Sequence, residues 1–257
     1  MGKVYLVGAG PGDAELLTLK AARILAAAKI VLHDALVTRE VLAKVSADAQ
    51  IIDVGKRCGR KLLTQDEINS LLVSYAATND VVVRLKGGDP LVFGRAGEEL
   101  QALREANVEF EIIPGITAAL GAAAAAGISL TDRRLASQIL FSTFTRRPEA
   151  NALEWGALSP TTTLVLYMPG PDYAEVALRV REAGLSVDLP CAIVSGASSP
   201  QQQIRWTSVA SLAHEEKLPA PALLIIGRVA THQFRELAAR YWAEKEIEVD
   251  VASRPAS

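Results

Sequence analysis

Val4-Tyr5-Leu6-Val7-Gly8-Ala9-Gly10-Pro11-Gly12-Asp13 decides the fold class, because a short apolar run breaks into closely spaced glycines before a helix-forming stretch begins. Such a strand, glycine loop and helix open a βαβ unit. Working outward, β-branched runs over 30–33, 50–54, 81–86 and 109–113 alternate with helical candidates, the clearest over 15–28 and 95–106. This alternation predicts a parallel sheet with helices on both faces.

Pro114-Gly115 interrupts the series, and the alanine-rich segment behind it offers small side chains for close helix packing. Beyond that point strands are expected over 139–143, 162–167, 191–195, 203–207 and 223–226, with a turn-rich hairpin at 195–201. The second sheet is therefore expected to be mixed. A charged amphipathic helix is expected over 234–247. The reading is two α/β domains, 1–114 with the glycine loop and 115–245 with the second sheet, followed by a tail over 246–257.

Composition narrows the function classes. The chain has 257 residues, half of them apolar, enough for one to two cores at about 150 residues per domain. Lys and Arg number 27 against 29 Asp and Glu, so no general field favours nucleic acid, and 5% aromatic residues argue against base-stacking platforms. Cys58 and Cys191 are too few for a disulfide scaffold, and His33, His214 and His232 lack metal-ligand spacing, so no metal is expected. No signal-peptide core precedes the first strand, and the apolar stretch 118–128 is about half of what a membrane span needs. The expectation is a soluble, cytoplasmic protein with a small-molecule substrate and neither nucleic acid nor membrane as partner.

The first glycine loop is not a good phosphate site. Asp13 stands where a dinucleotide-binding fingerprint has its third glycine, and a carboxylate there repels pyrophosphate. Pro11 removes a further backbone donor. The loop suits a neutral or cationic ligand better, although a tight turn with Asp13 as helix cap accounts for the same residues. A second constellation, Arg84-Leu85-Lys86-Gly87-Gly88-Asp89-Pro90-Leu91-Val92-Phe93-Gly94-Arg95, also follows a strand. Its glycines permit close backbone approach and Asp89 offers a carboxylate. Loops after Val7, Lys86 and Ile113 are expected to converge on one rim, the edge where open α/β sheets bind ligands.

GAGPGD at 8–13, HDALV at 33–37, GKR at 55–57, RLKGGDPLVFGR at 84–95 and PGITAA at 114–119 closely resemble the uroporphyrinogen-III C-methyltransferases of the tetrapyrrole methylase family. The similarity runs through Tyr167-Met168 and 221–227, to about residue 230. It implies a donor cleft between the two domains, usually in a homodimer. The implied reaction is methyl transfer from S-adenosylmethionine to two ring carbons of uroporphyrinogen III, giving precorrin-2 via precorrin-1 and leaving S-adenosylhomocysteine. Carried over by motif, Pro11, Gly87, Gly88, Asp89, Val92, Thr117, Ala118, Met168 and Ala197 would contact the donor. Asp34 would accept a proton and Lys56 donate one.

The substrate that the resemblance implies is a polycarboxylate, which makes Arg57, Arg60, Arg133 and Arg146 its candidate partners. Four positions depart from the family pattern. Asp132 replaces a common histidine, Phe144-Thr145 replaces Gly-His, and Ala197 replaces a glycine. The departures at Asp132, Phe144 and Thr145 motivate one alternative, a tetrapyrrole-binding protein without turnover, and a methylase of a later precorrin is a close enzymatic alternative that the GKR and RLKGGDP segments disfavour. A nicotinamide-dependent dehydrogenase with Asp34 on the ribose is the reading that the glycine loop alone would suggest.

Overall fold

Valine, isoleucine and leucine dominate the strands because parallel strands are covered on both faces, and the structure, a computed structural model, bears this out. It describes residues 2–55, 63–144, 155–170 and 172–231. The chain divides into two units, Met1–Gly121 with Gly196–Gln201, and Ala122–Ser195 with Gln202–Ser257.

In the first unit β1 (Lys3–Gly8), β2 (Ile30–His33), β3 (Gln50–Asp53), β4 (Val81–Lys86) and β5 (Glu109–Ile113) form a parallel sheet in the order β3-β2-β4-β1-β5. Side chains alternate between its faces. Val4, Leu6, Ile30, Leu32 and Val82 pack with Leu72 of α3 (Gln65–Thr78) and with Leu100 and Leu103 of α4 (Ala96–Glu105). Val7, Val31, Val83 and Leu85 pack on the other side with Leu25 of α1 (Leu19–Ala27) and Val41 of α2 (Arg39–Leu42). Each leucine buried this way contributes roughly 1.5–3 kcal/mol.

One helix boundary differs from expectation. The helix expected from Glu15 begins at Leu19, because Thr18 caps it by accepting from the Ala21 N–H at 3.1 Å. Asp13 caps only the short 3₁₀ turn Ala14–Leu16, accepting from Glu15 N at 2.8 Å.

The second unit is built on β6 (Gln138–Thr143), β7 (Thr162–Tyr167), β8 (Pro190–Ser195), β9 (Gln203–Ser208) and β10 (Ala222–Ile226), in the order β6-β7-β10-β8-β9. Only β6 and β7 pair in parallel, so the sheet is mixed as expected. The β8–β9 hairpin is present, and its tip belongs to the first unit. Leu164, Leu166, Ile193, Leu224 and Ile226 pack with Val176 and Val180 of α6 (Tyr173–Glu182). Phe144 joins this packing, which gives the departure from glycine a structural use. The remaining helix, α5 (Ala118–Ala126), is made almost wholly of alanine. No helix among the described residues is long and apolar enough to cross a membrane. The helix expected over 234–247 and the tail over 246–257 lie outside the described residues.

Candidate active site

All five parallel strands end on one edge, and the connections leave in opposite directions from β1 and β4, which lie side by side. This is the topological switch point, where α/β sheets open a crevice. Here the loops are stitched together by backbone. Gly10 N donates to Gly88 O at 3.1 Å, Gly88 N donates to Gly10 O at 2.8 Å, and Ala9 N donates to Lys86 O at 2.8 Å. Glycine is required for this approach. A Cβ on Gly8 would stand 2.5 Å from Gly115 N, and one on Gly115 would stand 2.4 Å from Gly88 O.

The expected convergence of the loops after Val7, Lys86 and Ile113 is therefore observed. Its chemistry is informative. A phosphate-binding glycine loop turns its N–H groups toward the ligand, whereas Gly10 and Gly88 give theirs to each other. The rim is left without that pair of donors, which disfavours the dinucleotide reading.

Asp89 serves the loops directly. Its Oδ1 accepts from Leu91 N at 2.8 Å and its Oδ2 accepts from Gly115 N at 3.0 Å, so one carboxylate ties the loop after β4 to the loop after β5. Gly88, at φ +68°, lies beside Thr117 and Ala118 at the start of α5. Pro11 packs against Gly121, where a Cβ would come within 2.7 Å of the proline ring. Gly12 faces the carbonyls of Ala197 and Ser198, and its own carbonyl accepts from Thr38 Oγ1 at 2.7 Å. Pro11, Gly87, Gly88, Asp89, Val92, Thr117, Ala118 and Ala197 all belong to the first unit. Met168 directly follows β7 in the second unit, about half exposed, with φ +48°.

Asp34 follows β2 at the same edge. Its N–H donates to Leu85 O at 3.1 Å, and its carbonyl lies 3.0 Å from Nδ1 of the buried His33. The carboxylate, 31% exposed, pairs through Oδ1 with Nη2 of Arg84. Gly55, the residue before Lys56, packs so closely on Ala35 that a Cβ would stand 2.1 Å from its nitrogen. Lys56, Arg57, Arg60 and Arg146 lie outside the described residues, as does Thr145.

Beneath Asp34 is a buried charge cluster that the sequence reading did not single out. Arg84 Nε donates to Glu99 Oε1 at 2.9 Å, and Lys86 Nζ donates to both Glu99 oxygens at 3.0 and 2.9 Å. Arg84 is 3% exposed, Lys86 2% and Glu99 0%. Burial opposes the Arg84 charge, but Asp34 and Glu99 outweigh it and hold the guanidinium above its ordinary range. Burial, followed by the positive charge of Arg84, pushes the Lys86 ammonium down despite Glu99. The signal was legible: positions 84 and 86 share one face of a strand otherwise made of valine and leucine. Such a pair of cations requires a buried carboxylate. A second ion pair at this edge, Arg95 with Glu98 at 2.7 Å, sits where Phe93 and Arg95 both adopt left-handed backbone, at φ +53° and +56°.

In the second unit Arg133 is exposed. Asp132 accepts from Arg134 N at 2.8 Å and from its Nε at 3.1 Å, and this pairing, the side-chain bond foremost, holds the carboxyl down to about 2. Among the described residues no group of three or more His, Cys, Asp or Glu stands together as a metal site.

Comparison with known proteins agrees with this geometry. Residues 3–213 match the family model of tetrapyrrole (corrin/porphyrin) methylases. The siroheme synthase of Actinobacillus pleuropneumoniae serotype 7 is 48% identical over 248 residues, 96% of this chain and 50% of that protein. The uroporphyrinogen-III C-methyltransferase of Paracoccus denitrificans is 46% identical over 235 residues, 90% of this chain and 82% of that one. Among solved structures, the uroporphyrin-III C-methyl transferase of Thermus thermophilus complexed with S-adenyl homocysteine matches with a TM-score of 0.78 and 38% identity, covering 89% of this chain and 98% of that one. The chain spans about half the length of the siroheme synthases it matches.

Proposed function

The chain belongs to the tetrapyrrole methylase family, and on that premise we propose that it transfers methyl groups from S-adenosylmethionine to two ring carbons of uroporphyrinogen III, giving precorrin-2 by way of precorrin-1. The observation that carries this reading is the glycine rim with its mutually satisfied N–H groups, set beside the Asp34 carboxylate. That rim fits a sulfonium donor, which is cationic and calls for carbonyls and apolar surface rather than a phosphate nest. When bound, S-adenosylmethionine supplies an electrophilic methyl group, so its activation needs no base.

Pro11, Gly87, Gly88, Asp89, Val92, Thr117, Ala118, Met168 and Ala197 are the residues we assign to holding the donor. Asp89 acts in that assignment mainly by fixing the loops after β4 and β5. Rate then comes chiefly from alignment in a preorganised site. After a ring carbon takes the methyl, the macrocycle must lose a proton, and Asp34 is the carboxylate assigned to accept it. Lys56 keeps the proton-donating role, and Arg57, Arg60, Arg133 and Arg146 the role of pairing with substrate carboxylates. A homodimer and a cytoplasmic location accompany the proposal, to be tested by light scattering and by cell fractionation.

An anaerobic assay with S-adenosylmethionine and enzymatically generated uroporphyrinogen III, read by product mass, tests the reaction. Two methyl additions are expected. No addition from protein that binds the donor overturns the reading and redirects the search to later precorrins. For Asp34→Asn, kcat is expected to fall about 100-fold or more, within the range contributed by a general base.

A further inference from the structure

We propose that Arg84, itself fixed by Glu99, is the positioning residue that aims the Asp34 carboxylate at the rim; this rests on the reaction proposed above. A carboxylate on a loop has two torsions to settle, and here Oδ1 is taken by Arg84 Nη2, which leaves Oδ2 as the oxygen that Arg84 does not engage. Arg84 has little freedom of its own. Its Nε donates to Glu99, and its Nη1 donates to the carbonyls of Leu85 at 3.2 Å and Leu32 at 3.4 Å, so β2, β4 and α4 together set the guanidinium plane.

Glu99 is fixed in turn. Its carboxylate accepts from Arg84, from Lys86 through both oxygens, and from Gln65 Nε2 at 3.3 Å. Two cations face two anions, so Lys86 balances the charge that Glu99 needs in order to hold Arg84. Stability alone does not explain such a cluster, since well-packed apolar residues of similar volume serve as well or better. Asp34 is the one member of the four with substantial exposure. Three buried charges therefore act to orient one carboxylate at the edge where the chemistry is proposed.

The test is steady-state kinetics on the full chain for wild type, Glu99→Gln, Arg84→Lys, Asp34→Asn and the double variant Asp34→Asn/Glu99→Gln, with donor affinity measured by calorimetry. Positioning predicts that Glu99→Gln and Arg84→Lys lower kcat about 10- to 100-fold, a part of what a general base supplies, while KM and donor affinity stay within about 2-fold. It also predicts that Glu99→Gln has no further effect once Asp34 is Asn, because residues acting as a unit are not additive. Lys86→Met/Glu99→Gln restores charge balance and covers the case in which the single variant fails to fold. It is expected to recover the melting temperature while kcat stays low. Additive losses in the cycle, or a kcat that recovers together with the melting temperature, overturn the inference and leave the proposed reaction standing. A wild-type protein that binds donor and forms no methylated product overturns both.

Discussion

In the first unit the sheet face that carries Val82 ends in Arg84 and Lys86, buried against Glu99, whereas the corresponding helix-covered face of the second unit runs through Leu164, Leu166, Cys191, Ile193, Leu224 and Ile226, and its cation, Arg205 of β9 opposite Ile193, stays 33% exposed and reaches Glu215 at 3.5 Å. Burial pushes the Cys191 thiol up, which makes it a small apolar side chain in practice. Topology accounts for the contrast. Five parallel strands bring five like ends, with their loops, to one edge, so chemistry gathers there and requires support from below. In the second sheet β10 and β9 run against β7 and β8, so like ends do not collect on one edge. The parallel sheet builds a rim, while the described part of the mixed sheet is chiefly a core.

That contrast can be tested by substitution. The largest effect is expected from Glu99→Ala, which leaves Arg84 and Lys86 buried with Asp34 as their remaining carboxylate and destabilises by about 3–5 kcal/mol, read as a drop in the urea midpoint. Next comes Gly8→Ala, whose Cβ would meet backbone atoms of Gly115 and Gly88 at 2.5 to 2.8 Å; a loss of about 3 kcal/mol is expected in the same titration. Gly184→Ala in the second unit, where the added Cβ meets nothing within 4 Å but φ is +83°, is expected to lose only about 1 kcal/mol.

Thr163→Val should change stability in the opposite sense. The hydroxyl of this fully buried residue finds no hydrogen-bond partner among the described residues, so its removal is expected to raise stability by about 1 kcal/mol. A loss on Thr163→Val would show that the second unit also depends on buried polarity, and the contrast would fail.

The smallest effect concerns the exposed pair in the second unit. Asp132 is held at about 2 against an ordinary 3.8, so the contribution of its pair with Arg134 is complete above about pH 4 and is lost as pH falls toward 2. Asp132→Asn should therefore flatten the stability profile in that window alone, as measured by denaturant midpoints at successive pH values. A profile unchanged from wild type would remove the pair from the acid response.

Much of this was legible before any coordinates. Strands 30–33, 81–86 and 162–167 coincide with β2, β4 and β7, because central strands covered on both faces are rich in apolar and β-branched residues, while 109–113 coincides with the edge strand β5, where alternation sets Phe110 and Ile112 against the core. The start of α1 was not legible in the same way. Asp13 and Thr18 are both good caps, and which of them begins the helix depends on the path the chain takes after the glycine loop. Site residues carried by motif fell together where the motif lies on a loop at the parallel edge, as with Gly88, Asp89 and Thr117. The partner of the cations at 84 and 86 could not be read, because Glu99 stands beside Glu98 in the sequence and only packing buries one and exposes the other.

The sequence by itself determined the alternation of strands and helices, the order of the glycine loops and the acidic departure at Asp13, since these follow from side-chain type and spacing along a chain with two soft torsions per residue. Only the tertiary structure decided that Gly10 and Gly88 spend their N–H groups on each other, and that Arg84 reaches both Glu99 and Asp34. Those outcomes depend on which strands become neighbours, and β1 and β4 are separated by more than seventy residues of chain yet hydrogen-bonded side by side. A donor left on a loop or a charge left in a strand acquires its meaning from the group that long-range pairing sets against it.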